Sequence, residues 1–159
     1  MTPQTTLGLI FLILTITPII YFGRIAKNRS LKAKVKLLEK TREQSITLDE
    51  TDHWNDKCLG ISREFRMLFF ENLDPQNLCS RAIDLSDYRR CNVSVKKLTI
   101  ELILEPRKSS DANYLYVEIF NTRFDSSTEV GFHHQKAIKW SKVVQQVIDQ
   151  KPTPLRKSA

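Results

Sequence analysis

Hydrophobic and polar positions alternate along this chain with three distinct periods. The first is a run with no polar phase: Leu7–Phe22 reads LGLIFLILTITPIIYF, and eleven of its sixteen residues are Leu, Ile or Phe. Widened to Thr5–Gly23 it holds 19 uncharged residues. As a helix these span about 28 Å, close to the ~30 Å of a hydrocarbon core. At roughly −0.3 to −0.6 kcal/mol for each central Leu, Ile or Phe, insertion is favoured by several kcal/mol. Pro18 is tolerated in such a helix, and Tyr21 sits where an interfacial aromatic belongs. The pattern therefore predicts a transmembrane anchor over residues 1–23. A buried core helix and a cleaved signal peptide are the rivals. The second lacks its basic n-region and a small-residue cleavage site.

The second period is helical. Ser30 is placed to cap a helix to about Glu43, in which Leu31, Val35 and Leu38 form a narrow apolar stripe. Residues 24–53 read as a basic juxtamembrane helix and linker, with Ser45–Asp52 a polar spacer. Near the end, Ala137, Trp140, Val144 and Val147/Ile148 share one face of a helix from about His134 to Gln150, stopped by Lys151-Pro152. Residues 151–159 read as a disordered tail.

The third period is two. Leu98, Ile100, Leu102 and Leu104 alternate with polar residues, and Tyr114–Phe120 (YLYVEIF) pairs with them as a hairpin partner. Val93 and Val95 have the opposite phase, which places a bulge or break near Lys96-Lys97. Ile83–Cys91 reads as a short strand entering a turn. Cys58–Phe70 fits either a helix or two short strands around Arg63-Glu64, and Gly60 favours the strands. Residues 54–150 form one α+β domain, a small antiparallel sheet closed by a C-terminal helix.

Charge sharpens the first element. The chain of 159 residues carries a net +7, and none of it precedes Arg24. Residues 24–44 hold eight Lys/Arg against Glu39 and Glu43, whereas residues 45–159 hold 17 basic and 16 acidic side chains. The positive-inside rule then places the N-terminus outside and the C-terminal domain in the cytoplasm, a single-pass inner-membrane protein. Arg24, Lys27, Arg29, Lys32, Lys34 and Lys36 are candidates for contact with anionic lipid. A nucleic-acid partner would call for basic charge on the folded body instead. The sequons Asn28-Arg29-Ser30 and Asn92-Val93-Ser94 are chance matches on that side.

Candidate chemistry is sparse. Cys58, Cys79 and Cys91 lack C-x₂-C spacing, and with His53, His133 and His134 they suggest no metal site. With only four glycines there is no P-loop and no G-x-G-x-x-G, and no G-x-S-x-G occurs. Cys91 follows Arg89-Arg90, which could lower a thiol's pKa, but a structural thiol is the simpler expectation. Asp74, Asp84 and Asp87 are explained by turns and alternation. Trp54 and Trp140 could line a groove or lie in the core. Arg89, Arg90, Lys96 and Lys97 cluster near the hairpin as a partner-binding candidate, or as a charged strand edge. No enzyme, cofactor or small-molecule substrate is expected.

The segments LGISREFRMLFF, RAIDLSDYRRCNV, KKLTIELIL, YVEIFN and KAIKW together resemble the pattern of uncharacterised bacterial proteins with an N-terminal anchor. Their soluble part is similar to a reduced pleckstrin-homology-like barrel with a C-terminal helix. The resemblance covers roughly residues 55–150, and Ser62 stands where that pattern has Asp. It implies a fold and an anchored topology, and no activity. The resulting expectation is a membrane-tethered, non-enzymatic module that binds a protein or a lipid headgroup, with the bilayer itself as a partner. The alternative is an accessory subunit of a larger membrane complex that uses the transmembrane helix as its interface.

Overall fold

The computed structural model describes residues 14–18, 28, 30–108 and 113–150. A helix over residues 30–43 (α1) precedes seven strands: β1 (Glu50–Trp54), β2 (Lys57–Ser62), β3 (Met67–Asn72), β4 (Cys79–Asp84), β5 (Tyr88–Val95), β6 (Thr99–Pro106) and β7 (Leu115–Asn121). A long helix, α2 (Val130–Asp149), closes the order. Strands β1–β4 form one antiparallel meander and β5–β7 another. The chain is therefore α+β, with two antiparallel sheets and a C-terminal helix.

Alternation builds the core. Leu59 and Ile61 of β2, Leu68 and Phe70 of β3, and Ile100, Leu102 and Leu104 of β6 are all buried in one cluster. Ala137, Trp140, Val144, Val147 and Ile148 of α2 complete it, the face that helical spacing predicts. The ladder slips one residue between Ile100 and Glu101, so both Ile119 and Phe120 of β7 reach the interior. The Trp54 indole then donates to the Ile119 carbonyl at 3.0 Å, tying the two sheets together. A second slip lies at Arg89 on β5, rather than at Lys96-Lys97, where the chain makes the β5–β6 turn.

Strands β2 and β3 are buried on both faces, because α1 covers the outer one. Ala33 and Leu37 pack with Cys58 and Phe69, and Ile46 and Leu48 fill the margin. Gly60 makes room: a β-carbon there would lie 2.8 Å from Leu48 Cδ1 and 3.0 Å from Leu37 Cδ2. Helix α1 ends in a Schellman motif, with Ser45 N donating to Arg42 O, Ile46 N to Thr41 O, and Ser45 at φ 56°. The stripe of Leu31, Val35 and Leu38 faces away, at 40%, 50% and 42% exposure. The polar spacer also differs from expectation, since Glu50–Trp54 pairs with β2 as β1. The segment Cys58–Phe70 is two strands, as Gly60 and the alternation favour.

The predicted membrane span is corrected. Among the described residues, no helix is long and apolar enough to cross a membrane. Of Leu7–Phe22 only residues 14–18 are described, as a short helical stretch, and the rest lies outside the described residues. Helix α2, with 20 residues, has the length, but it carries Lys136, Lys139, Lys142 and Asp149. Helix α1 is both shorter and highly charged. The single-pass inner-membrane placement, with the N-terminus outside and a cytoplasmic domain, loses its support with the span. So does a span-mediated role in a membrane complex. The tail, residues 151–159, and Arg24, Lys27 and Arg29 also lie outside the described residues.

Candidate interaction surface

The basic residues foreseen as one lipid-facing set divide. Lys36 Nζ lies 3.9 Å from Glu71 Oε2, and Glu71 is buried beneath α1. Lys40 joins from the next turn: its Nζ donates to Ser80 Oγ at 2.6 Å, and Ser80 Oγ donates to Glu71 Oε1 at 2.8 Å. These lysines fasten α1 to β3 and β4. Lys34 is half-buried near Cys58, and Lys32 is exposed.

The second set comes together on β5. Arg89 is the extra residue of the bulge, and its guanidinium pairs with Glu105 of β6. The hydrogen bond from Arg89 holds the Glu105 carboxyl below the usual range. Lys96 pairs with Glu101 at 2.8 Å and lies 5.2 Å from the Tyr116 ring centroid. Arg90 and Lys97 are exposed and have no ion pair among the described residues. Two charges are thus neutralised along β6, and two face solvent at either end of the strand.

The edge of β5 is more informative than its charges. In an antiparallel ladder, hydrogen-bonded and non-hydrogen-bonded pairs alternate. Lys96 N donates to Thr99 O, which closes the turn and sets the phase. Cys91 N donates outward instead, to Gln145 Oε1 of α2 at 2.8 Å. By alternation, the backbone groups of Val93 and Val95 also point away from β6. Val95 is 56% exposed, and Leu98 beside it is 47% exposed. The far edge of this sheet is occupied: Tyr116 O of β7 accepts from Arg81 of β4 at 3.1 Å, and Ile119 O accepts from Trp54. The reading of Ile83–Cys91 as one short strand entering a turn is corrected: β4 ends at Asp84, a 3-10 turn spans Leu85–Asp87 and β5 starts at Tyr88. The open edge of β5 depends on which neighbours α2 and β4 supply.

Next to the β5–β6 turn, where Asn121 of β7 pairs with Thr99, is a buried ionic knot. Asp125 Oδ2 accepts from Lys57 Nζ at 2.7 Å and from Asn121 N at 2.9 Å, and its Oδ1 accepts from Asn55 at 2.8 Å. Burial pushes the Asp125 carboxyl up, but these hydrogen bonds and the Lys57 charge outweigh it and hold the carboxyl below the usual range. The knot ties the β1–β2 turn to the loop before α2. Nothing in the sequence marks Lys57 as buried, since its partner lies 68 positions away.

The remaining candidates are structural. Burial pushes the Cys58 and Cys91 thiols up to about 12, and the Arg89-Arg90 pair does not activate Cys91. Asp84 accepts from Ser86 N and Asp74 from Gln76 N, each shaping its own turn. Asp87 lines a shallow cleft with Tyr88 and Arg107 and is not joined there by Asp74 or Asp84. Trp140 is fully buried and Trp54 nearly so. Among the described residues, no group of three or more His, Cys, Asp or Glu side chains could hold a metal ion. Comparison with protein-family models, with curated proteins and with solved structures finds no match.

Proposed function

We propose that this chain is a non-enzymatic interaction module whose partner is a protein, taken up as an extended segment along the β5 edge. The supporting observation is the outward-facing backbone of Val93 and Val95 beside the exposed Val95 and Leu98 side chains. An unpaired strand edge is a template for another strand: main-chain hydrogen bonds supply affinity, and neighbouring side chains select sequence. Arg90 and Lys97, at the two ends of the strip, favour a segment with acidic flanks. The pleckstrin-homology-like barrel implied by the resemblance belongs to this proposal. Four strands, then three, then a closing helix are what support it.

Site-specific photocrosslinking tests the proposal. A benzophenone side chain at Val95 in the full chain, irradiated in the native cell, is expected to give one discrete protein adduct. The same group at Lys139 on α2 serves as the control. Val93→Pro, which removes an outward N–H, abolishes that adduct while leaving the circular dichroism unchanged. A Val95 adduct that persists in the Val93→Pro protein, or no adduct above the Lys139 control, would sink the edge as a binding surface.

A further inference from the structure

The first turn of α2 buries a histidine in a setting that suits only its neutral form. His133 is 1% exposed. Its ring stacks on Phe120 at 5.1 Å, meets Phe132 edge-on at 5.2 Å, and tilts against Trp54 at 6.4 Å. Nε2 lies 3.3 Å from Glu129 Oε2, while Nδ1 is buried with no hydrogen-bond partner. A neutral imidazole donates from one nitrogen only, which Glu129 satisfies. An imidazolium has two N–H donors, and the second would point unpaired into an apolar ring stack.

The charges around the ring divide in sign. Glu129, one turn back, and Asp125, in the preceding loop, favour a cation. Lys57 of β2 opposes it, as does the positive end of the helix dipole. Lys136 lies over the Trp54 and Phe132 rings at 4.8 and 5.0 Å, with its own charge bonded to Asp52 of β1. Burial is the largest influence and holds the imidazole below its ordinary value.

This end of α2 is also its weakest. Neither Ser126 nor Glu129 makes a side-chain cap bond. Phe132 is 61% exposed, and Gly131 has nothing within 4 Å of its missing β-carbon. Further along, Trp140, Val144 and Val147 are fully buried, and Arg66 and Arg107 both donate to Ile148 O.

We infer that the first two turns of α2 form an acid-released latch: on protonation His133 leaves the Phe120–Trp54 pocket for water, residues 130–136 open, and the rest of the helix stays docked. Opening exposes the Phe120 ring and the face of the Trp54 indole, an apolar surface displayed only in acid. The latch is independent of what binds β5.

Amide exchange on the full chain, corrected for the intrinsic pH dependence of exchange, tests the inference. From pH 7.5 downward, protection of amides 134–137 is expected to fall by up to about tenfold per pH unit below about 6.5, while amides 143–149 keep theirs. His133→Phe, which keeps the ring stack and removes the titration, is expected to hold protection of 134–137 constant. The His133 ring, followed by NMR in the unmodified protein, titrates below an ordinary histidine. Equal loss of protection along all of α2, or the same loss in His133→Phe, overturns the inference. So does a ring that titrates at or above the ordinary value, a measurement that decides the matter even if the variant fails to fold.

Discussion

Lys57 and Asp125 carry opposite charges in a part of the molecule where neither could stand alone. Both side chains are 3% exposed, and Asp125 also gathers Asn55 and the Asn121 N–H. Removing one partner of a buried pair leaves the other unsolvated and costs about 3–5 kcal/mol. Asp125→Ala is therefore expected to lower unfolding free energy by that amount in urea titrations. Lys57→Met with Asp125→Leu, which replaces both charges by apolar groups, is expected to recover much of the loss. A double variant no more stable than Asp125→Ala would show that the charges matter through something other than mutual neutralisation. Composition and spacing name both residues, yet only the folded chain brings positions 57 and 125 together.

At the scale of elements, α1 shows how far periodicity reaches. The helix and its stripe of Leu31, Val35 and Leu38 follow from spacing, but the stripe faces solvent and the adjacent face packs on β2 and β3. The cause is the shape of the sheet: Gly60 leaves a hollow that Leu37 and Leu48 fill, and Glu71 draws Lys36 and Lys40 to the same side. Leu37→Ala should accordingly cost about 2–5 kcal/mol and speed the reaction of the Cys58 thiol with a disulfide reagent. Val35→Ala should stay within about 0.5 kcal/mol of the parent protein. Equal effects at the two positions would mean that α1 docks on its other face. The helix end yields a prediction of opposite sign. Ser45 occupies the left-handed position that glycine suits, so Ser45→Gly is expected to stabilise the fold by about 1 kcal/mol in thermal or urea unfolding.

For the molecule as a whole, two buried groups make stability depend on acid, and both act in the same direction. His133 and Asp125 each titrate below their ordinary values in the folded protein. The unfolded chain then binds protons first, so stability falls as pH falls. The His133 share is complete above about pH 6.5 and is lost below it; the Asp125 share is complete above about pH 3.9 and is lost below that. Urea unfolding followed against pH should show two descents. His133→Phe should remove the upper one and Asp125→Asn the lower. A single descent in the parent protein, or an upper descent untouched by His133→Phe, would contradict the assignment. His133 meets Phe120 of β7 and Trp54 of β1, and Asp125 meets Lys57 of β2 and Asn121 of β7, so acid acts on the junction between the two sheets rather than on one strand.

The amino-acid pattern alone determined the β6–β7 hairpin and the buried face of α2. Each depends on periods of 2 or 3.6 residues, which a chain displays locally whatever it later packs against. Only the tertiary structure decided that Glu50–Trp54 is a strand, that Lys36 and Lys57 face inward to acids, that α1 belongs to the folded body, and that β5 keeps an open edge. It also removed the expected span from the account of the described residues. Those outcomes depend on which distant segments meet. A buried charge, a covered face and an unpaired edge are properties of a pair of surfaces, and the second surface of each pair lies far along the chain.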